Sequence, residues 1–300
     1  MARLLAAGLI PAVWIPTPEV REVRALVAHR TRLIRQRTQA KNRLRSTLHR
    51  YNIVPPIGGL FAPAQRPWWE ALSLSTGEKL RIRQDLCLLD SLEPLIEEVD
   101  AELTHLSTTE CWISQVTFLL QLPGIGVINA LVLLAAIGDI TRFPSAKQLV
   151  GYAGLGASVH ASGQTYQTGH ITKQGRKEMR AALVEAAWMA VEHHPYWKEQ
   201  FERLATRIGK KKAIVAIARK LLVIIWHVLS KQEADRHADQ ERVARTLMEW
   251  ARNKSTATRL GLSRLEFVRR ELDRLGIGME MDRFVLGGRT FHLPKSASAG

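Results

Sequence analysis

From Glu19 to Tyr51 the chain runs without a proline or a glycine. An uninterrupted stretch of that length predicts one long helix. Glu19 and Glu22 open it, where the helix dipole favours acids. Leu26, Leu33, Ala40, Leu44 and Leu48 recur at helical or heptad spacing and mark a packed side. The later charges are nearly all positive: Arg30, Arg32, Arg35, Arg37, Lys41, Arg43, Arg45 and Arg50. An ordinary solvated helix face mixes signs, so the one-sided run favours a nucleic-acid contact. Arg35, Arg37, Lys41, Arg43 and Arg45 are the contact candidates on this helix.

Glu78 to about Leu106 reads as a second helix, with Leu80, Leu88, Leu92, Leu95, Val99 and Leu103 as its apolar stripe. Paired with the first it makes a long antiparallel helical arm. Pro94 inside it predicts a kink or a break. Asn52 to Ser75, rich in Pro, Gly and aromatic residues, is either a loop with its own packing or a hinge.

The whole chain has 300 residues, nearly half of them apolar, and a formal net charge of +15. That length allows two modest domains, or one large one with an arm. The charge points to a polyanionic partner, with a basic membrane-surface protein as the competing reading. No segment reads as a transmembrane span, since the apolar run from Val127 to Ile137 is too short, and no signal peptide is recognisable. Cys87 and Cys111 are isolated and read as buried free thiols, not as a bridge or a zinc site.

The densest concentration of glycine, small hydroxylated residues and cations lies between Gln121 and Leu183. Leu122-Pro123-Gly124-Ile125-Gly126 sits between two apolar helical stretches. It matches a helix-hairpin-helix element, in which backbone N–H groups near Gly124 and Gly126 face a phosphate. A plain turn between core helices is the alternative. With Ser145 as its N-cap, a short helix covers Ala146 to Ala153, and Ala157 to Ile171 forms a loop or hairpin of small residues. The next helix, Gln174 to Val191, begins among Lys173, Arg176, Lys177 and Arg180. Cations there oppose the helix dipole, as an anion nearby would require. Ser162, just before Gly163, is a candidate nucleophile toward a phosphodiester, with those cations to stabilise the developing charge; an ordinary loop serine is the bland reading. His160 and His170 are candidate bases or phosphate contacts. The acids Asp85, Asp90, Glu93, Glu97, Glu98 and Asp100 fall on a helix in mixed directions and read as a solvated face, not a two-metal site.

His194-Pro195 breaks the chain before helices at Tyr196 to Arg207 and Ala213 to Leu229. From Lys231 the composition turns polar. Arg242 to Arg252 and Ser263 to Leu275 read as amphipathic helices, and Phe284 to Leu293 as a short hairpin turning at Gly287-Gly288.

Taken in order, these segments resemble the insertion sequence 110 family of transposases. The resemblance rests on Leu122-Pro123-Gly124-Ile125-Gly126, Ala135-Ala136-Ile137-Gly138-Asp139, Phe143 and Gly151-Tyr152-Ala153-Gly154-Leu155. It continues through Ser162-Gly163, Ile171-Thr172-Lys173-Gln174-Gly175 and Arg180, and is supported upstream by Ala2 to Pro16, Arg37-Thr38 and Asn42. It covers about residues 1 to 230. It implies a DNA transposase or site-specific recombinase of bacterial cytoplasm, working beside the nucleoid. The family joins a RuvC-like domain, whose Asp-Glu-Asp-Asp set holds Mg²⁺, to a C-terminal domain whose serine links to DNA. Here that role falls on Ser162, with Thr172 as a substrate contact. The implied partners are DNA, an element-encoded guide RNA and further copies of the chain assembled through the arm. The family's carboxylates precede the motif that here begins at Ala2, so the chain reads as N-terminally truncated, with no metal or cofactor of its own.

The expected fold is mainly α. Residues 1–18 are the remnant of an α/β RNase H-like domain, and 19–109 the coiled-coil-like arm with its Pro/Trp loop. Residues 110–232 form a compact helical domain with the helix-hairpin-helix element, and 233–300 a polar extension. A non-catalytic helix-hairpin-helix nucleic-acid-binding protein is the alternative to the transposase.

Overall fold

A computed structural model describes residues 13–162 and 165–296, without the side chains of 159–161, 165, 166 and 168. Most of the expected 1–18 segment, and Gly163, therefore lie outside the described residues. The chain is mainly helical and divides into two compact units, residues 25–106 and a body made of 1–24 with 107–300.

The 25–106 unit contains most of α1 (Pro18–Arg50), together with α2 (Arg66–Glu70) and α3 (Thr76–Leu106). Helix α1 has 33 residues, a rod of about 50 Å at 1.5 Å per residue. Ion pairs fix the antiparallel order of α1 and α3: Arg30 with Asp100, Arg37 with Glu93 at 3.0 Å, Arg43 with Asp85, and Arg50 with Glu78 at 3.4 Å. Pairing narrows the reading of the α3 carboxylates as a solvated face, which holds for the exposed Glu97 and Glu98. Asp85, Glu93 and Asp100 each face a cation of α1, and Asp90 pairs with Arg66. The apolar stripe of α3 is rotated from the expected one. Ile82, Leu86, Leu89, Leu92, Ile96, Val99 and Leu103 are buried, while Leu80, Leu88 and Leu95 are exposed. Adjacent apolar pairs such as Leu88-Leu89 and Leu95-Ile96 fit either face by spacing alone, and packing selects one. Helix α3 continues through Pro94, so no break occurs there.

The loop between α1 and α3 packs on itself. Trp69 is fully buried with Leu44, Leu48, Leu72 and Leu86, and its Nε1 donates to the Leu60 carbonyl at 2.9 Å. Of the two readings for Asn52 to Ser75, the self-packed loop is the observed one.

In the body, α4 (Ile113–Leu120) and α5 (Val127–Ile137) flank the Pro-Gly turn. Then come α6 (Ala146–Tyr152), the antiparallel hairpin β1 (Ala157–Ser162) and β2 (Thr165–Ile171), α7 (Lys177–His193), α8 (Pro195–Ile208) and α9 (Lys210–Lys231). Helix α9 is central, touching α4, α6, α7 and α8. By length and composition α9 could cross a membrane, contrary to the expectation that no segment passes that test. Its Ile214, Ile217, Leu221, Leu222 and Ile225 are buried in the body, and its apolar character is that of a core helix. Helices α10 (Gln240–Arg252), α11 (Thr256–Arg259) and α12 (Arg264–Leu275) follow, then a hairpin of β3 (Arg283–Leu286) and β4 (Arg289–His292).

The residues after 232 join the same body. Trp250 packs edge-on against Phe267 at 5.0 Å and donates to Ser107 Oγ at 3.0 Å. Ser263 and Glu266 form a capping box that starts α12. Glu271 is fully buried, accepting from Thr117 Oγ1 on α4 at 2.7 Å and pairing with Arg270 and Arg274. Both cysteines are free, as expected, but exposed rather than buried.

Candidate nucleic-acid interface

The positive charge is unevenly shared. Residues 25–106 hold twelve Lys and Arg against nine Asp and Glu, a net of +3 out of +15, so the body carries the larger share. Within it, residues 139–180 hold six cations and two acids. One of those acids, Asp139, is turned onto its own loop, accepting from the Thr141 amide at 2.9 Å and its hydroxyl at 2.8 Å.

The candidate contacts on α1 have different surroundings. Arg37 and Lys41 both reach Glu93, and Arg43 is bound to Asp85. Arg45 lies 5.2 Å above the Phe61 ring. Arg35 is exposed and has no ion-pair partner among the described residues. Three of the five are thus neutralised within the arm.

The two glycines of the Pro-Gly turn differ. Gly124 has φ +80°, and a Cβ there would run into the carbonyl of Ala186 and approach the Ala190 nitrogen, both on α7. Its lack of a side chain lets α5 and α7 pack closely. Gly126 is exposed at the N-cap of α5, and a methyl group added there would meet nothing within 4 Å.

Loop 172–176 is locked onto the end of α6. The Thr172 amide donates to the Gly156 carbonyl at 2.9 Å and the Lys173 amide to the Gly154 carbonyl at 3.1 Å. Arg180 donates to the Ala153 carbonyl at 3.0 Å, which satisfies a C-terminal carbonyl of α6. Arg176 Nε donates to the Tyr152 hydroxyl at 3.3 Å. Lys173 and Lys177 are exposed, and among the described residues neither has an ion-pair partner.

Ser162 is exposed at the tip of the β1–β2 hairpin, paired with Thr165, while Ala157 pairs with Ile171 at the base. Five residues of strand separate tip from base, about 17 Å at 3.3 Å per residue. The fold therefore sets the serine and the cations Lys173 and Arg176 at opposite ends of one hairpin. His170 is exposed near the base, and the His160 side chain lies outside the described set. Gly126, Lys173, Arg176 and Lys177 share exposure, but only Lys173, Arg176, Lys177 and Arg180 are brought together in one loop and helix start.

Sequence reasoning gave no role to Arg24, Arg142 or Tyr152, which cluster beside Arg176. Arg24 donates to the Ala135 carbonyl at 2.6 Å and the Ala136 carbonyl at 3.2 Å. Arg142 donates to the Ile137 carbonyl at 3.4 Å, and the Tyr152 hydroxyl to the Ala136 carbonyl at 3.2 Å. The surplus of cations over acids in 139–180 was the available signal for Arg142; Arg24 comes from far upstream and carried none.

No group of three or more His, Cys, Asp or Glu side chains that could hold a metal converges among the described residues. Of the densest acids, Asp85, Asp90, Glu93 and Asp100 are engaged with arginines. These residues do not fit a catalytic metal pair.

A basic, mainly helical protein with a group of unpaired cations at the foot of one hairpin is the class that fold and charge define. Residues 116–202 match the family model described as "Transposase IS116/IS110/IS902 family". The chain is similar to the transposase for insertion sequence element IS1111A of Coxiella burnetii, with 29% identity over 233 residues, 73% of this chain and 62% of that protein. It is also similar to the pilin gene-inverting protein of Moraxella bovis, 38% identical over 116 residues, covering 38% of this chain and 36% of that protein. A third relative is the insertion element IS110 uncharacterized 43.6 kDa protein of Streptomyces coelicolor, 31% identical over 113 residues, 37% of this chain and 28% of that protein. The chain spans about three fifths of the length of the Coxiella relative.

Proposed function

We propose that this chain is the DNA-handling part of an insertion-sequence transposase or recombinase, holding nucleic acid on the cations of its body and presenting Ser162 for strand transfer. The observation that carries the reading is the family match over 116–202, which contains the exposed hairpin serine and the cationic loop together. The distance of about 17 Å from hairpin base to tip is about half a turn of B-form duplex, so one bound duplex can touch Lys173, Arg176 and Lys177 while its backbone reaches Ser162. Gly126, open at the start of α5, supports the helix-hairpin-helix reading, in which amide groups there meet a phosphate; Gly124 serves that turn by letting it pack. In the same reading Arg35 and Arg45 contact nucleic acid with an edge of the arm, and an element-encoded RNA is the guide. The exposed Leu80, Leu88 and Leu95 lie within one face of α3 and support self-association through the arm. Work beside DNA places the protein at the cytoplasmic nucleoid.

Metal-dependent cleavage belongs, in this reading, to the RuvC-like domain that the family resemblance implies. The chain alone is expected to bind DNA with an affinity that falls steeply with salt, without completing strand exchange in Mg²⁺. Robust cleavage by these 300 residues would overturn that division of labour. In a longer chain that carries the metal-binding domain, Ser162→Ala is expected to keep DNA affinity and abolish the covalent protein–DNA product. If that product forms at the parent rate, the serine is not the nucleophile. A folded longer chain that binds DNA but never cleaves it would favour the binding-only alternative.

A further inference from the structure

The C-terminal end of α5 is over-supplied with positive charge. Its last carbonyls attract cations because they have no partners within the helix, and Arg24 alone covers two of them. Arg142 adds a single long bond, and Arg176 reaches none, since its Nε is taken by the Tyr152 hydroxyl. Arg142 is stacked instead, its guanidinium 4.3 Å from the Trp14 ring and 4.9 Å from that of Tyr152. Arg24 lies 5.3 Å from the same tryptophan. Helix capping accounts for Arg24 and for one nitrogen of Arg142, and leaves Arg176 without such a role.

Among the described residues no carboxylate pairs with any of them, and Nη2 of Arg142 and both Nη atoms of Arg176 have no hydrogen-bond partner. Their mutual repulsion is felt. Burial, then the charges of Arg176 and Arg142, push the Arg24 guanidinium below its ordinary value. Burial of Tyr152 would raise its phenol, but the hydrogen bond from Arg176 and the charges of Arg176, Arg142 and Arg24 outweigh it and bring the phenol down. Holding like charges this close is unfavourable unless a counter-charge is supplied, and guanidinium forks match the oxygens of a phosphate in two-point geometry.

We propose that Arg24, Arg142 and Arg176 together bind one phosphodiester group of a nucleic-acid strand, with the Tyr152 hydroxyl, which accepts from Arg176 Nε, holding that arginine in place. This rests on the reading of the body as a nucleic-acid binder and adds a site to it, one anchored by Trp14 on the side of α5 away from its N-terminus. Arg142 orients the strand there, Tyr152 positions Arg176, and Arg176 links the site to the cationic loop at the foot of the β1–β2 hairpin.

The test uses the full chain, a fluorescently labelled DNA duplex, a labelled RNA strand, and anisotropy titrations at several salt concentrations. Arg142→Gln is expected to weaken binding about tenfold at moderate salt and to reduce the slope of log affinity against log salt by about 0.9, one duplex phosphate. Tyr152→Phe, which keeps the ring and every cation, is expected to weaken binding about threefold. Arg289→Gln, on the β3–β4 hairpin, is expected to bind as the parent does. If the parent binds neither DNA nor RNA, the underlying reading fails. If the parent binds and a folded Arg142→Gln binds equally well with the same slope, the site is refuted while the underlying reading stands. Loss confined to DNA or to RNA supports the site and says which strand it takes. Should Arg142→Gln fail to fold, Arg176→Gln, whose side chain bonds only to Tyr152, carries the same expectation and the same refutation.

Discussion

Gly124→Ala is expected to destabilise the body by about 2–5 kcal/mol, the sum of a left-handed backbone for an L-residue and an overpacked helix contact. The backbone at Gly124 has φ +80°, and the added methyl has nowhere to go, because the Ala186 carbonyl already fills its place. Both groups are backbone, so relief requires α5 and α7 to separate, which also disturbs the buried Met179, Leu183, Ala186 and Ala187 of α7. Thermal unfolding would show a midpoint lower by roughly 5–15 °C for a unit of this size. Gly126→Ala, two residues on, has an ordinary φ of −97° and open space, and its cost is expected to stay under about 1 kcal/mol. Equal midpoints for Gly124→Ala and the parent would show that α7 does not constrain the turn.

Glu271→Ala is the second large effect, with an expected loss of about 2–4 kcal/mol. Removing one member of a buried charge network strands the others, and costs of about 3–5 kcal/mol are typical when the partners are fully buried. Here Arg270 and Arg274 are about a third exposed, at 40% and 32%, so water rescues part of the loss. Glu271→Gln keeps the side-chain volume and a hydrogen-bond acceptor for Thr117, and is expected to cost about half as much. Chemical denaturation of the three proteins side by side checks the order; a parent-like midpoint for Glu271→Ala would remove this carboxylate from the account of the core.

Much of the architecture was legible because its signals are local. The absence of Pro and Gly marked α1, His194-Pro195 marked the break before α8, and Gly287-Gly288 marked the β3–β4 turn. The amphipathic pattern of Ser263 to Leu275 likewise marked α12. What stayed hidden depends on partners distant in sequence. The arginines of α1 could not be read as neutralised, since Asp85, Glu93 and Asp100 reach them only once the two helices lie antiparallel. The rotation of the α3 stripe was invisible for a related reason, with apolar residues adjacent at 88–89 and 95–96. Within the candidate site, Ser162 and the cationic loop were legible as residues, but the hairpin that holds them apart was one of two open readings. The Arg24–Arg142–Tyr152–Arg176 cluster, gathered from three distant stretches, had no local signature as a cluster, only the cation surplus of 139–180 that marks Arg142 and Arg176 singly.

The carboxyl-terminal helices bear on how the family region can be handled. Thr117 gives its hydroxyl to Glu271, the Gln121 amide oxygen accepts from the Asp235 backbone at 2.8 Å, and Arg242 donates to the Gln121 carbonyl. The family match ends at residue 202, yet α4, near its beginning, is roofed by chain from beyond 232. Excising the matched segment would leave those buried polar atoms facing nothing and a wide apolar scar on α4, so the region cannot be transplanted into another protein as a self-sufficient cassette.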